Sequence, residues 1–244
     1  VLKFGGTSIT KFGFNVIIEQ INKYKNYQLI IVLSALSNIT NYLVKYTDTL
    51  DDSYIAKIID IHLAFLNKLE LNENLLNWRF DHLKAICLKF CSQRSKNNSL
   101  KAEIISYGEY LSTDIFYNYL QKELFTNMLL TDSSLYIKSD SNYSNLYIKG
   151  NYYCDSDIIK TYLKSHNIII TQGFVASTID SQKCLLSRGG SDTTAAIMAF
   201  ALNASRLEIW TDVNGIYNAD PNIIKNAKII EHLDYNLCQE MAAM

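Results

Sequence analysis

The chain has 244 residues, 48% hydrophobic and 19% charged, with a formal net charge of −1. That is long enough to bury a large core, too apolar for disorder, and too evenly charged to bind nucleic acid or an anionic membrane surface through charge alone. No apolar run approaches the ~18–20 residues that span a bilayer, and no basic-then-apolar leader opens the chain, so the expectation is a cytoplasmic enzyme domain with neither nucleic-acid nor membrane partners.

In chain order, Val1–Phe4 reads as a buried strand running into Gly5-Gly6-Thr7-Ser8, after which Phe14, Ile17, Ile18, Ile21 and Tyr24 follow at helical spacing. Leu29–Leu33 is a second apolar strand, ending at Ser34. Residues from about 41 to 120 read as mostly helical, with repeats such as Ile55, Ile58, Ile59, His62 and Phe65. Met128–Leu130 reads as a strand, and Asp132–Tyr153, rich in Ser, Asn and Tyr, as loops with short strands. A helix over Asp157–His166 precedes a strand over Ile168–Thr171 that ends in Gln172-Gly173. Leu185-Leu186 leads into Arg188-Gly189-Gly190-Ser191-Asp192 and a helix to about Leu202, with Ser191 or Asp192 as its N-cap. Leu207–Thr211 is the last strand, ending at Asp212, and Asp234 caps a helix that is still running at Met244.

Strands alternating with helices predict a three-layer α/β/α sandwich around a largely parallel open sheet, with a helical insertion in the first half. Small or polar residues follow each strand, at Gly5-Gly6-Thr7, Ser34, Gln172-Gly173 and Thr211-Asp212. In open α/β sheets ligands bind at that carboxyl edge. No repeat or linker divides the chain, so it reads as one domain cut from a longer polypeptide at both ends. The five cysteines and four histidines are scattered without zinc-type pairs, which predicts reduced thiols and no transition metal held by the protein.

Only nine glycines occur, so paired ones are informative. Lys3-Phe4-Gly5-Gly6 puts a cation in a strand before backbone that can approach a phosphate closely, although a tight turn with Lys3 on an exposed edge fits the same residues. The Arg188–Asp192 loop opens a helix, where anions are favoured, and an arginine there suits a carboxylate. Asp212, before an Asn-Gly turn, reads equally as turn chemistry. Glu109 alone would be taken for a solvated charge.

Together, K-F-G-G-T-S, V-L-S-x-x-x-x-I-T-N, Y-G-E-x-x-S, T-Q-G-F, R-G-G-S-D and I-W-T-D-V-x-G-I-Y-x-x-D-P, in this order, resemble the aspartate kinases of the amino-acid kinase superfamily. That resemblance implies transfer of the ATP γ-phosphoryl, with Mg²⁺, to the side-chain carboxylate of L-aspartate, in the branch leading to lysine, threonine and methionine. It implies that Lys3 neutralises the transferring phosphoryl, that Gly5 and Gly6 supply backbone donors beside Ser34, and that Asp192 orients the Lys3 and Mg²⁺ system. Thr211, Asp212 and Tyr217 match nucleotide positions. Arg188 matches the grip on the α-carboxylate and Glu109 the partner of the α-ammonium, with Thr40, Phe174 and Ser191 also on the substrate side. It further implies carboxy-terminal regulatory domains that form a homo-oligomer, and in some relatives fusion to homoserine dehydrogenase. Departures from the family pattern are Asn222 and Ser187, where Arg and Gly are usual, and Asn38 at a position often Gly; the family's F-G-A-K segment lies past Met244. A glutamate-kinase-like enzyme and a ligand-sensing homologue without turnover are the alternatives.

Overall fold

A computed structural model describes residues 1–12, 14–93, 98–123, 125–140, 146–148, 151–187, 189–220 and 223–243. The chain divides into two units, Val1–Trp210 and Thr211–Met244.

In the first unit a five-stranded parallel sheet is built from β1 (Leu2–Phe4), β2 (Leu29–Leu33), β3 (Met128–Thr131), β6 (Ile168–Gln172) and β9 (Glu208–Trp210), in the order β3-β6-β2-β1-β9. The register pairs Lys3 with Val32 on one side and Ile209 on the other. Every residue of β2 (Leu-Ile-Ile-Val-Leu) and of β6 is buried. Because successive side chains of a strand point to opposite faces, both faces must be covered, which is why these strands are continuous β-branched and apolar runs. The helices supply the cover: α6 (Asn98–Lys122) packs on β2, β3 and β6, and α8 (Gly190–Ala201) on β1 and β2. The result is the expected α/β/α sandwich.

The region expected to be helical holds α3 (Ile39–Thr49), α4 (Ser53–Lys68), a short 3-10 turn, α5 (Asn77–Gln93) and α6. In α4 the buried residues Ile55, Ile58, His62, Phe65 and Leu66 recur at three and four residues. His62 is fully buried, with Nδ1 2.7 Å from the Ile58 carbonyl oxygen, and burial pushes its pKa down to about 4, so it sits there neutral. The helix α6 is enclosed on nearly all sides from Ala102 to Phe116, which makes it the central helix.

Three features differ from the sequence expectation. The helix expected near Phe14 is two helices, α1 (Gly6–Phe12) and α2 (Asn15–Lys23), so Gly6 begins a helix directly. A second, four-stranded sheet appears, in the order β5-β4-β7-β8, from β4 (Ile137–Ser139), β5 (Tyr152–Cys154), β7 (Val175–Thr178) and β8 (Lys183–Leu185), with α7 (Ser156–Leu163) between β5 and β6. Its strands are three or four residues long, too short for periodicity to show. It is tied to the first sheet and α6 by Lys183, whose Nζ lies 2.7 Å from Asp132 Oδ2 and 2.5 Å from Tyr110 Oη. Burial alone would lift the Asp132 carboxyl, but the Lys183 ammonium outweighs it and holds the pKa below its ordinary value. Lastly, the N-cap of α8 is Gly189, in the left-handed region at φ +79°, not Ser191 or Asp192. Both of those lie inside the first turn.

In the second unit Tyr217 bridges Ile229 and Asp234 caps α9 (Tyr235–Ala243), its Oδ1 accepting from Leu237 N at 2.9 Å. No described helix is long and apolar enough to cross a membrane.

The approach of α6 to the loop after β2 depends on Gly108, where an added Cβ would lie 2.7 Å from Ala35 Cβ. Alanine in a helix interior gains about 1 kcal/mol over glycine, whereas overpacking a tight contact costs about 1–3 kcal/mol. Gly108→Ala is therefore expected to lose up to about 2 kcal/mol in urea unfolding; a gain of about 1 kcal/mol would show that the Ala35 loop yields freely.

Candidate active site

Because the strands of the first sheet are parallel, the residues after β1, β2, β3 and β6 all emerge at one edge. A cleft of about 1150 Å³ opens there, lined by Lys3, Ser34, Thr40, Glu109, Phe174, Ser191 and Asp192, with Asn38, Tyr42, Lys45 and Tyr147 among the remaining walls. Seven residues singled out from separate stretches of sequence thus share one cavity.

At one end the cleft is cationic. Lys3 lies on an interior strand and is only 7% exposed, so it is not on a solvated edge. A buried ammonium is costly unless paired, and its partner is Asp192, with Nζ 2.6 Å from Oδ1. Asp192 is brought there by the first turn of α8, which can approach only because Gly173 and Gly190 lack side chains. A Cβ on Gly173 would lie 2.4 Å from Ser191 Cβ, and one on Gly190 would lie 2.7 Å from Phe174 Cδ2. Gly5 passes beside the Lys3 ammonium, 3.5 Å from where its Cβ would be, but its N–H donates to the Trp210 carbonyl at 3.0 Å, so the sheet takes up the backbone donor that was expected for phosphate. Gly6 is pressed against the next loop, its missing Cβ falling 2.0 Å from the Ala35 carbonyl oxygen. An ammonium among close backbone turns at a helix N-terminus suits a phosphate.

The other end seeks a cation. Glu109, which by sequence alone looked solvated, is 3% exposed on α6. Its Oε1 accepts a long hydrogen bond from Ala35 N at 3.4 Å, and its Oε2 is buried without a partner among the described residues. Burial pushes the carboxyl up to about 8, the Ala35 amide opposing only in part. A buried carboxylate with one oxygen free, lining a cavity, is matched by a ligand ammonium.

Between the two ends Phe174 holds φ +67°, a strained value for a bulky residue. The turn is secured by Phe174 N donating to Thr194 Oγ1 at 3.0 Å and by Leu186 N donating to the Phe174 carbonyl at 2.8 Å. Asn38, the position where glycine is usual, has φ +66°; asparagine is among the few side chains that tolerate this region, which explains why it can stand there. Ser34 is fixed by its N–H on the Phe4 carbonyl at 3.2 Å. Arg188 and Asn222 lie outside the described residues, although Ser187 and Gly189, on either side of Arg188, line the cleft. Thr211, Asp212 and Tyr217 belong to the second unit, where Thr211 Oγ1 donates to Asp212 Oδ1 at 3.1 Å. Tyr147 and Lys45 were not legible as site residues: one sits in a Ser/Asn/Tyr-rich loop without pattern, the other among ordinary polar positions of a helix.

Residues 1–244 match the family described as the Amino acid kinase family. The chain is 31% identical to a bifunctional aspartokinase/homoserine dehydrogenase of Buchnera aphidicola, over 99% of this chain and 32% of that protein. It is likewise 31% identical to the lysine-sensitive aspartokinase 3 of Escherichia coli, over 99% of this chain and 55% of that one. The crystal structure of E. coli aspartokinase III in complex with aspartate and ADP superposes with a TM-score of 0.80 at 27% identity, covering 100% of this chain and 56% of that chain. The chain therefore spans between a third and just over half of the length of these relatives.

The buried carboxyl has a consequence for stability. The Glu109 pKa is raised from 4.5 to about 8, so between those pH values the folded protein holds a proton that the unfolded chain has released. Its contribution is complete below about pH 4.5 and is lost as pH rises through about 8. Without ligands, wild-type protein is expected to lose on the order of a few kcal/mol relative to Glu109→Gln between pH 5 and pH 9, read from denaturant unfolding at each pH. A wild-type-to-variant difference that does not change with pH would mean that Glu109 is solvated.

Proposed function

Because the chain belongs to the amino acid kinase family, we propose that its cleft transfers the γ-phosphoryl of ATP to the side-chain carboxylate of L-aspartate, giving 4-phospho-L-aspartate and ADP. The observation that carries this reading is the buried, half-satisfied Glu109 carboxylate in the same cavity as the Lys3–Asp192 pair. One end is made for an ammonium, the other for a phosphoryl group. The glutamate-kinase-like alternative has the same needs, but the relatives named aspartokinase and the aspartate- and ADP-bound E. coli structure favour aspartate.

In this mechanism the β-carboxylate oxygen of aspartate attacks Pγ while the bond from Pγ to the β,γ-bridging oxygen breaks, and the electron pair leaves on ADP. The nucleophile is already ionised, so no general base is needed, and the protein contributes alignment and charge neutralisation. Lys3 faces the phosphoryl with its Nζ held by Asp192, and Gly5 and Gly6 let the backbone come close. Glu109 fixes the α-ammonium and Arg188 the α-carboxylate, aiming the β-carboxylate along the cleft. Thr40, Ser191 and Phe174 complete the amino-acid wall, and Thr211, Asp212 and Tyr217 hold the nucleoside. Mg²⁺ fits as a nucleotide-borne ion: no cluster of three or more His, Cys, Asp or Glu forms a cage among the described residues, and this ion characteristically takes one or two carboxylates plus phosphate oxygens. Asp192 is the carboxylate that fits, and the ion would neutralise phosphate charge.

The test is hydroxamate trapping of the acyl phosphate in the complete polypeptide with ATP, Mg²⁺ and aspartate. Lys3→Ala is expected to lower kcat on the order of 10²–10³-fold with aspartate binding nearly intact, because its charge acts mainly as the phosphoryl moves. Indifference to Lys3→Ala would remove it from the chemistry. Aspartate binding without any wild-type turnover would mark a ligand-sensing homologue.

Arg188→Ala should instead raise the aspartate KM strongly and leave the ATP KM unchanged, with Arg188→Lys recovering only part, since an ammonium lacks the bidentate fork. Unaltered aspartate kinetics in both variants would take Arg188 out of the site.

A further inference from the structure

Gln172, in the T-Q-G-F stretch, has no part in the mechanism above, yet it is 2% exposed at the carboxyl end of β6. A buried amide needs partners at both ends, and here it has them. Its Oε1 accepts from Ser133 N at 3.1 Å, and its Nε2 donates to Thr113 Oγ1 at 2.9 Å. Thr113 Oγ1 in turn lies 2.9 Å from the carbonyl oxygen of Glu109, one turn earlier on α6. Beyond Ser133, its Oγ donates to the Val175 carbonyl at 2.8 Å, just past Phe174. Gln172 thus stands between the helix that presents Glu109 and the turn that holds Phe174 in its strained conformation.

Among the described residues the Glu109 side chain has little of its own to hold it, since its one hydrogen bond, from Ala35, is long. Its position must come from where α6 sits. Two hydroxyls of α6 converge on the Glu109 carbonyl. Ser112 Oγ, 3.0 Å from it, has one proton to share between it and Ser34 O at 2.8 Å, after β2, and Thr113, whose hydroxyl also lies 3.0 Å from the Tyr110 carbonyl, links it to Gln172, at the end of β6. A functional group kept within tenths of an ångström needs this kind of supporting contact.

We propose that Gln172 is a positioning residue for the amino-acid end of the cleft: through Thr113 it sets where α6 presents Glu109 to the substrate ammonium, and through Ser133 it anchors the Phe174 turn. This rests on reading the cleft as an aspartate site. A merely structural glutamine would, when replaced, weaken the whole protein and both substrates alike. A positioning glutamine acts on one end.

The experiment uses the complete polypeptide with steady-state kinetics in both substrates and aspartate binding by calorimetry. Gln172→Leu and Thr113→Val are each expected to raise the aspartate KM about tenfold or more, with ATP KM and kcat within about twofold. Thr113→Ser, which keeps the hydroxyl, should behave as wild type. The double variant should be no worse than the poorer single one, since both remove the same link. If Gln172→Leu fails to fold, Thr113→Val, of nearly the same shape, carries the test by itself. Parallel rises in both KM values, or a silent Thr113→Val, would overturn the positioning role while leaving the aspartate reading intact. A wild-type protein that neither binds nor phosphorylates aspartate would overturn the reading itself, and the role of Gln172 with it.

Discussion

The lysine in the middle of the parallel sheet is the constraint around which the cleft is organised. An ammonium almost excluded from water, on a strand flanked by two others, cannot stand unpaired. Its partner Asp192 arrives from far along the chain, on the first turn of a helix that must lie hard against the sheet edge. Everything that permits that approach follows from it: glycine at 173 and 190, where a side chain would collide, glycine at 189, where the chain turns left-handed into the helix, and Thr194 holding the Phe174 amide. The same pair that relieves the buried charge leaves it next to the close backbone turn at Gly5 and Gly6. Stability and the proposed phosphate chemistry therefore draw on one contact.

The opposite end of the cleft works by withholding a partner. Asp132, also largely buried, is answered by Lys183, and Asp114 by Arg79 at 2.6 Å. Among the described residues Glu109 has a long amide contact and no cation, and burial pushes its carboxyl up. Two of these acids are paired within the fold, whereas Glu109, more buried than either, has no charged partner among the described residues.

Two of the described non-glycine residues with left-handed backbone line this edge. Phe174 adopts a left-handed conformation that its side chain disfavours, Asn38 one that asparagine tolerates, and both line the cleft. Strain of this kind persists only where surrounding contacts over-determine the chain. Around Phe174 those contacts are the Thr194 hydroxyl, the Leu186 amide and, through Ser133 and Val175, the Gln172 side chain.

Much of this was legible along the chain because it rests on local rules. The apolar β-branched runs of β2 and β6 announce a sheet covered on both faces, the three-and-four spacing in α4 announces its helix, and the small or polar residues after each strand announce the ligand edge. The motifs with Lys3, Arg188 and Asp192 were recognisable by residue type and order. Of the second sheet only short strands somewhere in Asp132–Tyr153 were legible, and its pairing with β7 and β8 was not, because strands of three or four residues carry no readable period and are held in part by side-chain contacts such as Lys183 with Asp132. Nor was the N-cap of α8, where a glycine's left-handed turn replaces the side-chain cap that Ser191 or Asp192 promised. The sequence by itself determined which residues are chemically able to bind a phosphoryl group and an amino acid. Only the tertiary structure decided that Lys3 is buried and needs Asp192, that Glu109 is desolvated with an oxygen to spare, and that Gln172 links α6 to the Phe174 turn. Burial and partnership are properties of segments far apart in the chain that meet only once it has folded.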